Sequence, residues 1–314
     1  MANQISFAPQ FVRVATKRLG LAVLCVTLSV TLSVTVASMT ASATPPVPAS
    51  VLWEEGIVYA QPAGAEPLAL NIARPKSTEG LRPAVLCIHG GGFRAGKRDA
   101  YDALCVRLAE QGFVAATISY RLAPKHQFPS AVYDCKAAVR WLRANATTYD
   151  IDPQRIGATG SSAGGHLAQF LAVTAHVPRF EGEGGNPEQP SDIACVVNVY
   201  GPSDFTQSYG KSVDAHEVLP LWFGGDLESH RALHIIGSPL TWVTPDAAPT
   251  LCIHGTQDKY VAHEQAVWIV EKLQAATVDA QLLTLEGAGH GFQGEQAAQA
   301  DAALLQFLQT HLKP

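Results

Sequence analysis

Charge is scarce in this sequence. Only 16% of the 314 residues are charged, the net charge is −5, and no block of Lys or Arg occurs. That leaves no basic surface for a polyanion, so no nucleic-acid partner is expected. No segment repeats at a period of roughly 20–50 residues, which excludes solenoids and propellers. Cysteine never stands at C-x-x-C spacing, so no metal site is indicated. With Cys25 set aside in the N-terminal segment, Cys87, Cys105, Cys135, Cys195 and Cys252 remain. An odd count leaves at least one thiol unpaired. Cys87, Cys195 and Cys252 sit in apolar runs and read as small core hydrophobes. A bridge between Cys105 and Cys135 is compatible with the count.

What is present divides the chain in two. Arg13, Lys17 and Arg18 precede an apolar run from Leu19 to about Ala37, followed by Ala41-Ser42-Ala43. Basic region, apolar region and small-residue site, in that order, predict a secretory signal peptide over residues 1–43. An uncleaved anchor is the competing reading, disfavoured by the Thr and Ser that interleave the run. A secreted or periplasmic protein follows, with no stable membrane association after cleavage. Residues 44–50 read as a Pro-rich linker. Residues 51–314 read as one catalytic domain, and the 47% hydrophobic content supplies a sizeable core.

Strands are expected at 51–60, 67–73, 84–88, 113–120, 155–158, 193–199, 250–253 and 281–285, and helices at 99–111, 130–145, 167–173, 261–273 and 294–312. Residues 178–191 read as a surface loop and 203–247 as irregular. The alternation from residue 84 onward predicts an α/β fold with a mostly parallel sheet, whose ligands lie beyond the carboxyl ends of the strands.

The candidate chemistry falls at those ends. Residues 160–164, Gly-Ser-Ser-Ala-Gly, fit G-x-S-x-G, the strand-to-helix elbow that raises a nucleophilic serine, here Ser162. Such a serine needs a base, and the base needs an orienting acid. The strand at 250–253 runs into His254-Gly255-Thr256-Gln257-Asp258, and the last strand into a glycine-rich loop bearing His290. Asp258 as acid and His290 as base give the order serine, acid, histidine. Asp246 is the alternative acid, disfavoured because it precedes its strand. His89, His166 and His254 read as structural. Attack on a carbonyl builds charge on oxygen, and His89-Gly90-Gly91-Gly92 lets the backbone approach it closely. The N–H groups of Gly91, Gly92 and Ala163 are the expected oxyanion hole.

These motifs resemble the α/β-hydrolase esterases with an HGGG loop, the hormone-sensitive-lipase-like group in the wide sense. Within them the chain is most similar to the BD-FAE-like (feruloyl/acetyl-xylan-esterase-like) hydrolases. The likeness rests on His89–Phe93, Ser119–Pro124, Phe128–Leu142, Gly160–Ala168, Ser238–Leu240, His254–Asp258 and Gly287–Phe292. It implies an eight-stranded, mostly parallel sheet flanked by helices, with antiparallel first strands and a small or absent cap. It also implies no cofactor, and ester hydrolysis through an acyl-serine. Ser161 stands where many relatives of hormone-sensitive lipase carry Asp, and once the expected leader is removed only a few residues precede the first strand. Phe93 replaces the Trp common in the feruloyl-type group. The expectation is a secreted serine carboxylesterase acting on a short-chain acyl ester, small-molecule or carbohydrate-linked. An amidase or formamidase on the same triad, or a non-catalytic binding protein on this scaffold, is the alternative. Phe205, Trp222 or Phe223 is expected to wall a shallow acyl pocket.

Overall fold

The computed structural model describes residues 46–77, 80–175 and 177–313. The expected leader and Cys25 lie outside them. Two antiparallel strands, β1 (Val51–Ala60) and β2 (Leu68–Pro75), lead into β3 (Arg82–Ile88), α1 (Asp102–Glu110) and β4 (Val114–Ile118). Next come α2 (Ser130–Ala144), the single turn α3 (Ala146–Tyr149), β5 (Ile151–Ser161) and α4 (Ala163–Val173). The chain continues through β6 (Val196–Val199), α5 (Ala215–Phe223), α6 (Arg231–Ile236) and β7 (Thr250–Gly255), and ends with α7 (Glu264–Ala275), β8 (Ala280–Leu285) and α8 (Gly294–Leu312). The sheet order is β1-β2-β4-β3-β5-β6-β7-β8. β2 pairs antiparallel with β1 and β4, and every other pairing is parallel.

The central strands are apolar at nearly every position because both sheet faces are covered. Along β3, Ala84, Leu86 and Ile88 join the core under α2 and α4, while Val85 and Cys87 join the one under α1 and α8. On β7, Leu251 and Ile253 face α8, and Cys252 faces the cluster built with α7. This alternation separates two thiols. Cys105 packs on the α1/α8 face and Cys135 on the α2/α4 face. The sheet stands between them, so no bridge joins them, and all five described cysteines are free and buried.

Several expected boundaries move by a few residues, and two larger differences have a local cause. The elbow helix begins at Ala163 rather than 167, because Gly164 and Gly165, poor helix formers, sit where no Cβ fits. Residues 203–247 are not irregular throughout. The apolar positions Ala215, Val218, Leu219, Trp222 and Phe223 have helical spacing, which Pro220 masks, and they form the buried face of α5.

The 178–191 segment, expected as a surface loop, is strapped down by α2. Lys136, fully buried, donates from Nζ to the Thr174 carbonyl (2.8 Å), Glu181 Oε1 (2.8 Å) and Ser191 Oγ (3.0 Å). Arg140 donates to the carbonyls of Gly184 (2.6 Å) and Gly185 (3.1 Å). Arg143 donates to those of Pro190 (2.6 Å) and Asp192 (2.8 Å). Burial pulls the Lys136 pKa down and Glu181 opposes it. Buried cations are tolerated only when their donors are satisfied in this way.

Candidate active site

Loops after β3, β5, β7 and β8 meet at the carboxyl edge of the sheet, and local sterics shape the first two. At the end of β5, Ser162 adopts φ 55° and ψ −122°, a conformation L-residues seldom take and one that stores about 1–3 kcal/mol. The glycines around it are required. A Cβ on Gly160 would lie 2.5 Å from the Gly164 carbonyl, and one on Gly164 would lie 2.0 Å from the Ile88 carbonyl oxygen. The elbow thus seats β5 and α4 against β3, with Ser162 at its apex and the positive end of α4 behind it.

His290 arrives on the loop after β8. Its Nε2 lies 2.9 Å from Ser162 Oγ, and its Nδ1 lies 2.6 Å from Asp258 Oδ2. With Nδ1–H donating to the carboxylate, Nε2 is free to accept the serine proton. Asp258, on the loop after β7, has a fully buried side chain, and its Oδ1 accepts the amides of Tyr260 and Val261, both at 2.9 Å. Burial raises the Asp258 pKa, but hydrogen bonds from His254, His290 and the Val261 amide outweigh it and hold the carboxyl well below its usual range. The carboxylate therefore stays ionised. Ser162, His290 and Asp258 are brought together as expected. Asp246 is exposed and makes no contact with His290 among the described residues.

The remaining loop follows β3. Gly91, at φ 114°, has no room for a side chain, since a Cβ would lie 2.2 Å from the Ala95 carbonyl oxygen. Its own carbonyl is tied back by the amides of Arg94 (3.2 Å) and Ala95 (3.0 Å). His89 shapes the loop from below: Nδ1–H donates to the Gly90 carbonyl at 2.8 Å, and the ring stacks on Tyr120 at 4.2 Å. Gly91, Gly92 and Ala163 all line the cavity over Ser162.

That cavity holds about 470 Å³. Its apolar side includes Phe93, Phe205, Val218 and Leu219, and its rim carries Arg94, Asp214 and Tyr260. Phe205 lies on the wall as expected, but Trp222 and Phe223 do not line the cavity. They are buried behind it, Trp222 stacked on Phe93 at 3.8 Å and Phe223 packed 5.4 Å from Phe205. His166 is likewise structural. It is fully buried, with Nδ1–H donating to the Pro202 carbonyl at 3.0 Å, and burial drives its pKa down to about 3.

Sequence reasoning missed Tyr200 and Tyr260. Their rings flank His290 at centroid distances of 4.7 and 5.4 Å. Tyr200 reaches the site through a positive φ of 42° just after β6, and its place beside Gly201 and Pro202 at a strand end was the available signal. Arg94 and Asp214 had no signal, being polar residues in loops. Among the described residues, no group of three or more His, Cys, Asp or Glu is arranged to hold a metal ion, and no helix is long and apolar enough to cross a membrane.

A parallel-centred sheet with serine, histidine and carboxylate aligned at its carboxyl edge defines an α/β-hydrolase. Residues 70–273 match BD-FAE, and the chain belongs to that family. It is 36% identical to the esterase LipC of Mycobacterium tuberculosis over 217 residues, covering 67% of this chain and 53% of LipC. It therefore spans about half of LipC's length. To the ethyl acetate hydrolase of Pseudomonas putida it is 32% identical over 242 residues, 73% of each chain. A solved structure of a truncated carbohydrate esterase from gut microbiota superimposes with a TM-score of 0.74 at 27% identity, covering 84% of this chain and 97% of that one.

Proposed function

We propose that the protein is a serine carboxylesterase that hydrolyses short-chain acyl esters through an acyl-serine intermediate. The observation that carries this reading is the unbroken line from Asp258 through His290 to Ser162, at 2.6 and 2.9 Å. Ser162 Oγ attacks the ester carbonyl carbon while its proton passes to His290 Nε2, and Asp258 stabilises the imidazolium that results. The N–H groups of Gly91, Gly92 and Ala163 receive the oxyanion. The tetrahedral intermediate collapses, the alcohol leaves with the proton from His290, and a water molecule repeats the sequence on the acyl-serine to release the acid.

The pocket supports short acyl groups. Trp222 and Phe223 plug the space behind Phe93 and Phe205, so chain length has nowhere to grow in that direction. The name of the ethyl acetate hydrolase agrees with this reading. The carbohydrate esterase neighbour, with the polar rim at Arg94, Asp214 and Tyr260, supports acetylated or feruloylated sugars as one source of such esters. Residues 1–43 are read as a cleaved leader for export, which N-terminal sequencing of the mature protein tests.

The test of the activity is an acyl series of aryl esters from acetyl to decanoyl, with wild type and Ser162→Ala. Wild type should prefer acetyl to butyryl, and the variant should lose at least about 10⁴-fold in kcat while staying folded. Near-wild-type turnover by the variant would place the nucleophile elsewhere. A specificity constant still rising at decanoyl would overturn the short pocket.

A further inference from the structure

The carboxylate of Asp258 is shared by two histidines. Besides His290, the Nε2 of His254 lies 3.3 Å from the same Oδ2, and 2.9 Å from the Val261 carbonyl oxygen. Both of those oxygens are pure acceptors, so Nε2 carries the hydrogen and His254 donates a forked hydrogen bond. The ring is 1% exposed, and its Nδ1 is buried without a partner. A buried ring nitrogen left unpaired costs stability, and an apolar side chain would fill the same space without that cost.

The geometry points to His254 as a positioning residue for the ester hydrolysis proposed above: it fixes the plane of the Asp258 carboxylate so that Oδ2 faces His290. His254 belongs to β7, where it pairs in register with Thr284 of β8, so it carries the rigid sheet's coordinates into the loop. The turn from Asp258 to Val261 is closed from both sides. The Val261 amide donates to Oδ1 (2.9 Å), and the Val261 carbonyl accepts from His254. With His290 (2.6 Å) and the Tyr260 amide (2.9 Å), four N–H donors from three chain segments hold two oxygens. Such saturation leaves the carboxylate no alternative rotamer. The inference rests on Asp258 being the acid of the triad.

Other titratable groups border the ring. His263 stands edge-on at 5.7 Å, with Nε2 3.0 Å from Thr284 Oγ1. Burial, then the neighbouring His254, pulls the His263 pKa down, while Glu264 and Glu286 oppose this. None of the three reaches Asp258 among the described residues, so of these groups His254 alone acts on the acid and, through it, on His290. Removing the Nε2–H donor leaves the carboxylate more basic and tightens its hold on the His290 imidazolium.

The experiment compares wild type, His254→Phe (ring kept, donor lost) and His254→Gln, whose amide N–H reaches the Nε2 position. It measures kcat, KM, the pH profile of kcat/KM and the downfield proton NMR resonance of His290 Nδ1–H. His254→Phe should lower kcat by roughly ten- to hundredfold, the range for one hydrogen bond to a charged group, with KM unchanged. Its acid limb should move up by about half a pH unit or more, and the NMR resonance should shift. His254→Gln should restore both the limb and the resonance toward wild type. A folded His254→Phe with the wild-type limb and resonance would overturn the inference, as would a His254→Gln variant no closer to wild type than His254→Phe. The NMR readout needs no substrate, so failure of the esterase reading, seen as turnover retained by Ser162→Ala, is told apart from failure of the role given to His254.

Discussion

The loops at the sheet edge and the segment 203–242 that walls the cavity are built by opposite means. The loops are fixed by backbone. Ser162, Phe93 and Tyr200 are held at positive φ, Gly160, Gly164 and Gly91 stand where a Cβ would collide, and hydrogen bonds to carbonyls close each turn. The wall is fixed by side chains, with Phe205, Trp222 and Phe223 packed against Phe93 and Phe128. The first construction sets positions to a few tenths of an ångström, as bond-making chemistry demands. The second sets a volume. Substitutions in the loops should therefore act on kcat, and those in the wall on which acyl chain is taken.

The largest effect should come from His290→Ala. Without a base within 2.9 Å, Ser162 is a weak nucleophile at neutral pH, and kcat should fall at least about 10⁴-fold with the fold unchanged by circular dichroism. Gly164→Ala should come close in activity and add a stability loss. Its Cβ meets backbone at 2.0 Å, so the elbow must open, and both the melting temperature and kcat should drop together. If this variant keeps its activity, the loops are less rigid than their backbone contacts imply.

Asp258→Asn should retain more activity than His290→Ala, losing about 10²–10⁴-fold, while Asp246→Asn should be silent. The reverse order would transfer the acid role. The same variant carries a pH signature. The folded pKa of Asp258 lies below its unfolded value, so the stability it contributes is fully present above about pH 4 and is lost as pH falls through the folded pKa. The melting-temperature gap between wild type and Asp258→Asn should therefore narrow below about pH 4. A gap that widens with acid would contradict an ionised carboxylate.

The smallest effect sharpens the comparison from the other side. Leu219→Ala lengthens the apolar side of the cavity by a few methylenes. Each methylene newly buried contributes about 0.8 kcal/mol, so the preferred aryl ester should move from butyryl toward hexanoyl by several-fold in kcat/KM, with acetyl turnover nearly unchanged. Equal losses across the whole series would mean that the wall also positions the chemistry.

The same division governs what could be read from the residues alone. The elbow, the glycine loop, Asp258 and His290 stand out because strained turns admit few residue types and each follows a buried strand. α8 was expected at 294–312 and is found there, since no Pro breaks its period. The helices α5 and α6 were hidden by Pro220 and by glycines at 224, 225 and 237. The sidedness of α1 and α2, which parts Cys105 from Cys135, is a property of topology that cysteine spacing does not encode. Lys136, Arg140 and Arg143 lie one above another on α2, where charge ordinarily marks the solvent face, and only the packed loop explains their burial.

That loop has a consequence for how the protein survives digestion. Residues 181–192 are rich in Gly, Pro and Glu, a composition that in an open arc invites nicking, because a protease must draw an extended stretch of chain into its cleft. Here the carbonyls of Glu181, Gly184, Gly185, Pro190 and Asp192 are each held by an arginine of α2, so cleavage must await their joint release. Glu-specific digestion should leave Glu181, Glu183 and Glu188 uncut in the native protein. Arg140→Ala should open the segment to cutting at Glu183 well below the temperature at which the sheet unfolds.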